Sequence, residues 1–292
     1  IDGSKFKKIK SIKSGAYGSI YLVEEEGTGN KYAAKQMIHF NEYEHHKFLM
    51  REIDIFMRVT NYCIIGFKGF SFTFDNIHTP TLFLELAEGG SIQSKLEEAR
   101  KSNLDPKWTP TKRMISLVGV SYGMMQLHNH NVIHRDLKPG NVLLDSNLHP
   151  KITDFGLSKF ENKSLEQSLV SIGTPIYMAP ELTQDDPSFT NSVDVYAFGI
   201  MAYEIITLKP PFKPKDMKGQ YQLFSKVNEG LRPDIEDGDM SNNLKDLLNR
   251  CWDASPSNRP TFSEITTFLF KEEYQIPGVE NEEYLDYLQL LG

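Results

Sequence analysis

The sequence has little cysteine, no excess of positive charge and no long hydrophobic run, and each shortage removes a class of protein. Its two cysteines, Cys63 and Cys251, stand far apart in a chain of 292 residues. Neither a disulfide framework nor a cysteine-rich metal site can be read from them, and a reducing, cytoplasmic setting is expected. Acidic residues number 39 against 32 lysines and arginines, a net charge of −7. That excludes a general binder of nucleic acid or of membrane surfaces, which relies on a basic excess. No apolar run approaches the roughly 20 residues of a membrane span. The eight histidines lack zinc-type spacing: His45 and His46 are adjacent and would point apart on a helix, and His128 and His130 flank a turn. Internal repeats and low-complexity tracts are absent. Ile1 to Lys8 lack both a signal-peptide core and a starting Met, and read as the edge of an excised domain. Asn162-Lys163-Ser164 matches a glycosylation sequon, a pattern without meaning in the cytosol.

What is present is ordinary for a folded domain: 39% hydrophobic and 24% charged residues, enough for one large domain or two small lobes. Strands are predicted over Phe6 to Ile12, Gly18 to Val23 and Lys31 to Ile38, with the turn residues Glu26 to Asn30 between the last two. Ser14-Gly15-Ala16-Tyr17-Gly18 joins the first pair. Its glycines would let backbone N–H groups approach an anion, although a hairpin also uses such residues. A strand follows this loop, whereas a dinucleotide fingerprint needs a helix there.

Alternation along the third strand puts Lys35 on one face with Ala33 and Met37. A helix is predicted over residues 42 to 60, with Phe48, Glu52, Phe56 and Val59 on one stripe. A carboxylate in an apolar stripe needs a cation, and Lys35 is the candidate. Strand resumes over 64 to 86, ending in Thr81 to Leu86, after which the composition turns helical. The lobe boundary therefore falls between 86 and 87. Ser91 is placed to cap one helix, and Thr109 with Pro110 to open the next, whose Met114, Met124 and Met125 read as core filler. A long polar segment covers 157 to 178. Helices follow over 193 to 207, with a lone Asp194 inside, then 216 to 229, 241 to 252 and 261 to 272. A short acidic amphipathic helix ends the chain from Pro277; it either packs back on the domain or serves a partner.

The polar residues concentrate between His134 and Gly156: His134-Arg135-Asp136-Leu137-Lys138-Pro139-Gly140-Asn141, then Asp154-Phe155-Gly156. Such residues also make ordinary turns. Yet an acid to orient a hydroxyl, an acid and an amide for a hard cation, a lysine for phosphates and a glycine loop are the parts phosphoryl transfer uses.

With those partners in order and register, the chain resembles a eukaryotic protein kinase domain along nearly its whole length. The resemblance rests on Lys35, Glu52, the hinge, His134 to Asn141, Asp154 to Gly156 and Ala179-Pro180-Glu181. It implies an α+β, two-lobed fold: a small antiparallel-sheet N-lobe with one main helix over 1–86, a larger mostly helical C-lobe over 87–275, and a tail over 276–292. It implies ATP and Mg2+ as ligands and proteins as substrates. Asp136 would take the substrate hydroxyl's proton, Lys138 would stabilise the moving phosphate, and Lys35, positioned by Glu52, would hold the α- and β-phosphates. Asn141 and Asp154 would bind the metal. The nucleotide would lie under the loop Ile12, Lys13, Ser14, Gly15, Ala16, Tyr17, Gly18 and Ser19. Adenine would sit between Ile20 and Ala33 above and Leu143 below, on the hinge backbone of Glu85 and Ala87, with Leu84 at the back. Asp194 would brace the catalytic loop and Glu181 would pair with Arg259.

Lys138 two places after Asp136, with Gly173-Thr174-Pro175, resembles serine/threonine kinases. Cys251-Trp252-Asp253 and Asn258 to Phe262 resemble the tyrosine-kinase-like group, so a tyrosine-kinase-like serine/threonine kinase in signal transduction is expected, with dual specificity left open. One departure is Lys13, which stands where the family has its first loop glycine; ATP binding is expected to survive, because Gly15 and Gly18 make the closest approach to phosphate. Arg135 implies control by phosphorylation at Ser164, Ser168 or Ser171, with Thr174 turned to the catalytic loop. The rivals are a pseudokinase scaffold, which would have lost one of the key polar residues, and a small-molecule kinase, which would not need the long segment before Glu181.

Overall fold

Alternating residues near the N-terminus build a five-stranded antiparallel sheet: β1 (Phe6–Gly15), β2 (Gly18–Glu25), β3 (Lys31–Met37), β4 (Phe67–Ser71) and β5 (Thr81–Glu85), ordered β1-β2-β3-β5-β4. The computed structural model describes residues 1–15, 18–37, 43–160, 175–183, 189–213, 219–236 and 238–292. Residues opposed across a ladder share a face, so Lys35 lies with Ile20 and Leu82, and Ala33 with Leu22 and Leu84. The other face buries Phe6, Val23, Ala34, Phe74 and Phe83 as a small core of its own. β1 runs three residues further than its periodicity suggested, because bulges between Lys8 and Lys10 and between Ser11 and Lys13 absorb the irregularity.

Helix α1 (Tyr43–Arg58) joins β3 to β4 and buries Leu49, Glu52, Ile55 and Phe56. The side chain of Phe48, assigned to this stripe, lies outside the described residues. The loop after α1 is fastened to the other lobe: the Ile152 N–H donates to the Cys63 carbonyl at 2.7 Å and the Ile65 N–H to the Ile152 carbonyl at 2.9 Å.

The second lobe is mostly helical. β6 (Gly90–Ser91) leads into α2 (Ile92–Arg100), where Ser91 and Ser94 bond to each other's backbone N–H in a capping box. Thr109 caps α3 (Pro110–Asn129) at 3.2 Å, with proline at its first position. Met114 and Met124 are fully buried in α3, as are Ser116, Val120 and Ser121; the helix is enclosed almost all round. Then come β7 (Val132–Ile133), β8 (Val142–Leu144), β9 (Pro150–Ile152) and β10 (Lys159–Phe160). They form a three-stranded sheet β6-β8-β9 and a pair β10-β7. Strands this short carry no alternation to detect, so the sequence shows a polar cluster where the structure has a small sheet.

The chain finishes with α4 (Ser192–Thr207), α5 (Gln220–Asn228), α6 (Asn242–Cys251), α7 (Phe262–Leu269) and α8 (Asn281–Leu290). Within the expected loop of 157 to 178, single turns of 3-10 helix end at Leu157 and begin at Pro175. Residues 161–174, with Ser164, Ser168, Ser171 and Thr174, lie outside the description. Arg259 grips both Glu181 oxygens at 2.6 and 2.8 Å and also reaches the carbonyls of Ser192 and Asp253, a bidentate buried pair. Among the described residues no helix is long and apolar enough to cross a membrane.

Helix α8 lies along α3. Glu283 meets Lys112 at 2.6 Å, the Tyr122 hydroxyl donates to the Leu291 carbonyl at 2.7 Å, and Tyr284 and Tyr287 are buried. Beside it, burial pushes the His149 imidazole below its ordinary pKa; Asp145 opposes this, Lys112 and Lys151 add to it, and Glu283 opposes it. The folded state therefore favours the neutral ring, so its contribution to stability is complete above the ordinary value of about 6.5 and is lost as pH falls through the lowered folded value. Thermal melts of wild type and His149→Asn, which keeps an acceptor for Tyr62, should run parallel above pH 7. Below about pH 6.5 the wild type should lose stability faster. Identical acid slopes contradict this.

Candidate active site

Two clusters of polar side chains meet where the sheet faces the helical lobe. The first forms because β3 and α1 each turn one charged residue inward. Lys35 Nζ lies 2.9 and 3.1 Å from the Glu52 oxygens and 3.1 Å from Asp154 Oδ1. Glu52 is 1% exposed and the Lys35 side chain 18%. Burial alone would depress the Lys35 ammonium, but the Glu52 and Asp154 carboxylates outweigh it and hold the pKa above its ordinary value. Burial raises Glu52, with Asp154 adding to the rise against the pull of Lys35. Asp154 moves down, chiefly through Lys35, against the cost of its own burial. The lysine is a fixed cation between two anions.

The second cluster is the turn from His134 to Asn141. Asp136 Oδ2 accepts from Lys138 Nζ at 2.6 Å and from Asn141 Nδ2 at 2.9 Å, and the same Asn141 nitrogen reaches the Asp136 carbonyl at 2.8 Å. Among the described residues, this use of Oδ2 leaves Asp136 Oδ1 as its acceptor for an incoming group. The Asn141 amide nitrogen is thus engaged by both the carbonyl and the carboxylate of Asp136, and its amide oxygen is the atom with which it could bind a cation.

Hydrogen bonds through His134 and Thr153 hold the clusters together. His134 accepts the Asp136 N–H at Nδ1 (3.3 Å) and therefore donates from Nε2 to the Thr153 carbonyl (3.1 Å), which sets the neutral tautomer. The Thr153 N–H donates to the Asn141 carbonyl at 3.0 Å. The Ser158 hydroxyl donates to the His134 carbonyl at 3.1 Å. Buried Asp194 accepts the His134 and Arg135 N–H groups at 2.8 Å each and lies 2.9 Å from His128 Nε2. Those bonds over-determine a strained turn, since Arg135 sits at φ 70°. Asp154, at φ 68°, is also left-handed, and the next residue, Phe155, is buried edge-on to Phe56 with centroids 5.2 Å apart.

The remaining predicted positions fall on the sheet and hinge. Lys13 opposes Ile20, Ser14 opposes Ser19, and Gly15 opposes Gly18 across the β1–β2 ladder. A Cβ at Gly18 would collide with the Gln36 carbonyl, so glycine is required where the strands close. Ile12 is left out of the ladder at the bulge and is 49% exposed. Ala16 and Tyr17 lie outside the described residues. Ala33 opposes Leu84, which is buried, with Glu85 and Ala87 following, and Leu143 is half-buried on β8.

Sequence reasoning overlooked several partners. The Lys151 ammonium, on β9, is 3.2 Å from Glu85. Glu204 is 2% exposed and joins Arg100 at 2.6 Å to the Tyr177 hydroxyl at 2.7 Å. A lysine between Pro150 and Ile152 in a buried strand was a signal of the same kind as Glu52 in its apolar stripe. Among the described residues, no group of three or more His, Cys, Asp or Glu is placed to hold a metal.

The model of the protein kinase domain family matches residues 6–270, and the chain belongs to that family. It is 33% identical over 278 residues to the dual specificity protein kinase shkB of Dictyostelium discoideum, covering 94% of this chain and 41% of that protein. It is 27% identical to the serine/threonine-protein kinase Nek5 of Homo sapiens, over 96% of this chain and 39% of the relative. It is 28% identical to the mitogen-activated protein kinase kinase kinase YODA of Arabidopsis thaliana, over 92% and 29%. The chain thus spans less than half the length of each.

Proposed function

We propose that this domain transfers the γ-phosphate of ATP to serine and threonine hydroxyls of proteins. The observation that carries the reading is the pair of clusters joined through His134 and Thr153, with Asp136 Oδ1 left to accept a proton. In this reading the substrate Oγ attacks the γ-phosphorus while its proton passes to Asp136 Oδ1. The O–P bond to the β-phosphate breaks, and ADP leaves with that electron pair. Lys138 offsets charge on the moving phosphoryl oxygens, and Lys35, held by Glu52, orients the α- and β-phosphates. Adenine lies between Ile20 and Ala33 on one side and Leu143 on the other, against Leu84, bonded to the backbone of Glu85 and Ala87.

Asn141 and Asp154 offer oxygen donors only, a set that suits Mg2+. Bound there, the metal neutralises phosphate charge. Lobes of 1–86 and 87–275 close over the nucleotide, with 276–292 docked on the larger one, and the free thiols of Cys63 and Cys251 suit a cytoplasmic setting. A pseudokinase reading has nothing to favour it, since all four key polar residues are retained, Lys35 in contact with Asp154 and Asn141 with Asp136.

Regulation follows from Arg135. Burial and the nearby Arg51 push its guanidinium down to about 10, against Asp194, and its charge lies 4.3 Å above the Phe189 ring. A phosphate on Ser164, Ser168 or Ser171 would relieve that crowding of cations.

A library of peptides matched except for one hydroxyl residue tests the substrate class. Serine and threonine members are expected to take up phosphate, with tyrosine at least about tenfold slower, a difference of roughly 1.4 kcal/mol in the barrier. Uptake by tyrosine alone refutes the class.

A further inference from the structure

Behind the hinge, Glu85 is held by Gly66 of the loop after α1 and by Lys151 of β9, and a chain of ring contacts leads from Lys151 to Tyr287 of α8. From this we infer that Lys151 is a positioning residue for the nucleotide-binding hinge, and that Tyr287 of the terminal helix keeps it in place. The inference rests on the nucleotide site described above.

Lys151 is 6% exposed, and its ammonium has two neighbours: Glu85 at 3.2 Å and the face of Tyr62, 4.2 Å from the ring centroid. Glu85 is fastened on three sides. Its N–H donates to the Gly66 carbonyl at 2.7 Å, and its Oε2 accepts the Gly66 N–H at 2.9 Å, while Oε1 meets Lys151. A side chain at Gly66 would begin 3.1 Å from that carboxylate. An apolar residue at 151 would fill the site without burying a charge. What the lysine adds is a fixed position for the residue that opens the hinge.

The platform beneath Lys151, the Tyr62 ring, is braced from α8. The Tyr62 hydroxyl lies 2.8 Å from His149 Nδ1, the His149 ring stands edge-on to Tyr287 at 4.7 Å, and the Tyr287 hydroxyl meets Cys63 Sγ at 3.3 Å. Tyr287 reaches this place through a notch in α3, where a Cβ on Gly119 would collide with its hydroxyl. Glycine inside a helix costs about 1 kcal/mol relative to alanine, and here it makes the space Tyr287 occupies. A run of contacts therefore joins the end of the chain to the strand end that would bond adenine.

A hinge ordered in advance spares the nucleotide that cost. Losing Lys151 or the Tyr287 ring should thus weaken ATP binding and leave the chemical step alone. Lys151→Met and Tyr287→Ala are expected to raise the ATP Kd by calorimetry, and KM with it, by at least about fivefold, with kcat at saturating ATP unchanged. Lys151→Arg, which keeps the charge over Tyr62, should restore the wild-type Kd. The double variant should lose no more than Lys151→Met alone, because both act through one contact. If Tyr287→Ala fails to fold, the Lys151 pair decides alone. Lower melting temperatures with unchanged Kd in Lys151→Met assign a purely structural role and overturn the inference. Failure of the wild type to bind ATP overturns the nucleotide-site reading instead.

Discussion

Replacing Asp136 by asparagine is expected to lower kcat by about 10²- to 10⁴-fold, the usual contribution of a positioned general base. Asparagine keeps the volume and an oxygen for the bond from Lys138, so the loop should hold its shape. What it cannot do is accept a proton at the second oxygen, the one Lys138 and Asn141 leave open. ATP affinity should change by less than about twofold, because the group acts on the hydroxyl and not on the nucleotide. Steady-state kinetics beside a direct binding measurement separates the two quantities. A variant with kcat within tenfold of wild type would show that proton removal by this residue does not limit the reaction.

The second large effect concerns Lys35. Lys35→Met removes the cation that Glu52 and Asp154 share, at 2.9 and 3.1 Å. Glu52 is almost wholly buried and cannot turn to water, so the loss should cost about 3–5 kcal/mol of stability, as for other buried pairs broken from one side. ATP affinity should fall as well, since the same lysine is assigned to the α- and β-phosphates. Adding Glu52→Gln removes the stranded charge. The double variant should therefore recover part of the stability lost in Lys35→Met, a non-additive result expected of residues in contact. Phosphate transfer should not recover with it. Denaturant melts of the four proteins in this cycle supply the stability term. Strict additivity would mean that the ion pair is not what holds α1 against β3.

Much of this arrangement was legible from local pattern. Strand alternation put Lys35 on the inner face, helical spacing put Glu52 in an apolar stripe, and the cost of an unpaired buried carboxylate joined them across 17 residues. The same logic would have found Lys151, but its partner at Glu85 lies 66 positions earlier, and three-residue strands give no periodicity from which to infer a buried face. The fastening of the loop after α1 to β9 was illegible for the same reason: it rests on single backbone bonds between distant segments. Gly119 lies inside a helix, where glycine is unfavourable. Only the seated Tyr287 explains it, because space left for a side chain that arrives 168 positions later leaves no local mark. The two-lobed fold needed none of these details, since local patterns placed the strands, the main helix and the change to helical composition after residue 86, and the resemblance to protein kinases implied how they assemble.

The most direct test of the central claim follows a single labelled atom. With γ-labelled ATP, Mg2+ and a serine peptide, the wild-type domain should move the label to the serine hydroxyl. The transfer should disappear on chelation of the metal and in Asp136→Asn. Label that stays on ATP at every Mg2+ concentration, or that Asp136→Asn transfers as fast as the wild type, would contradict the mechanism.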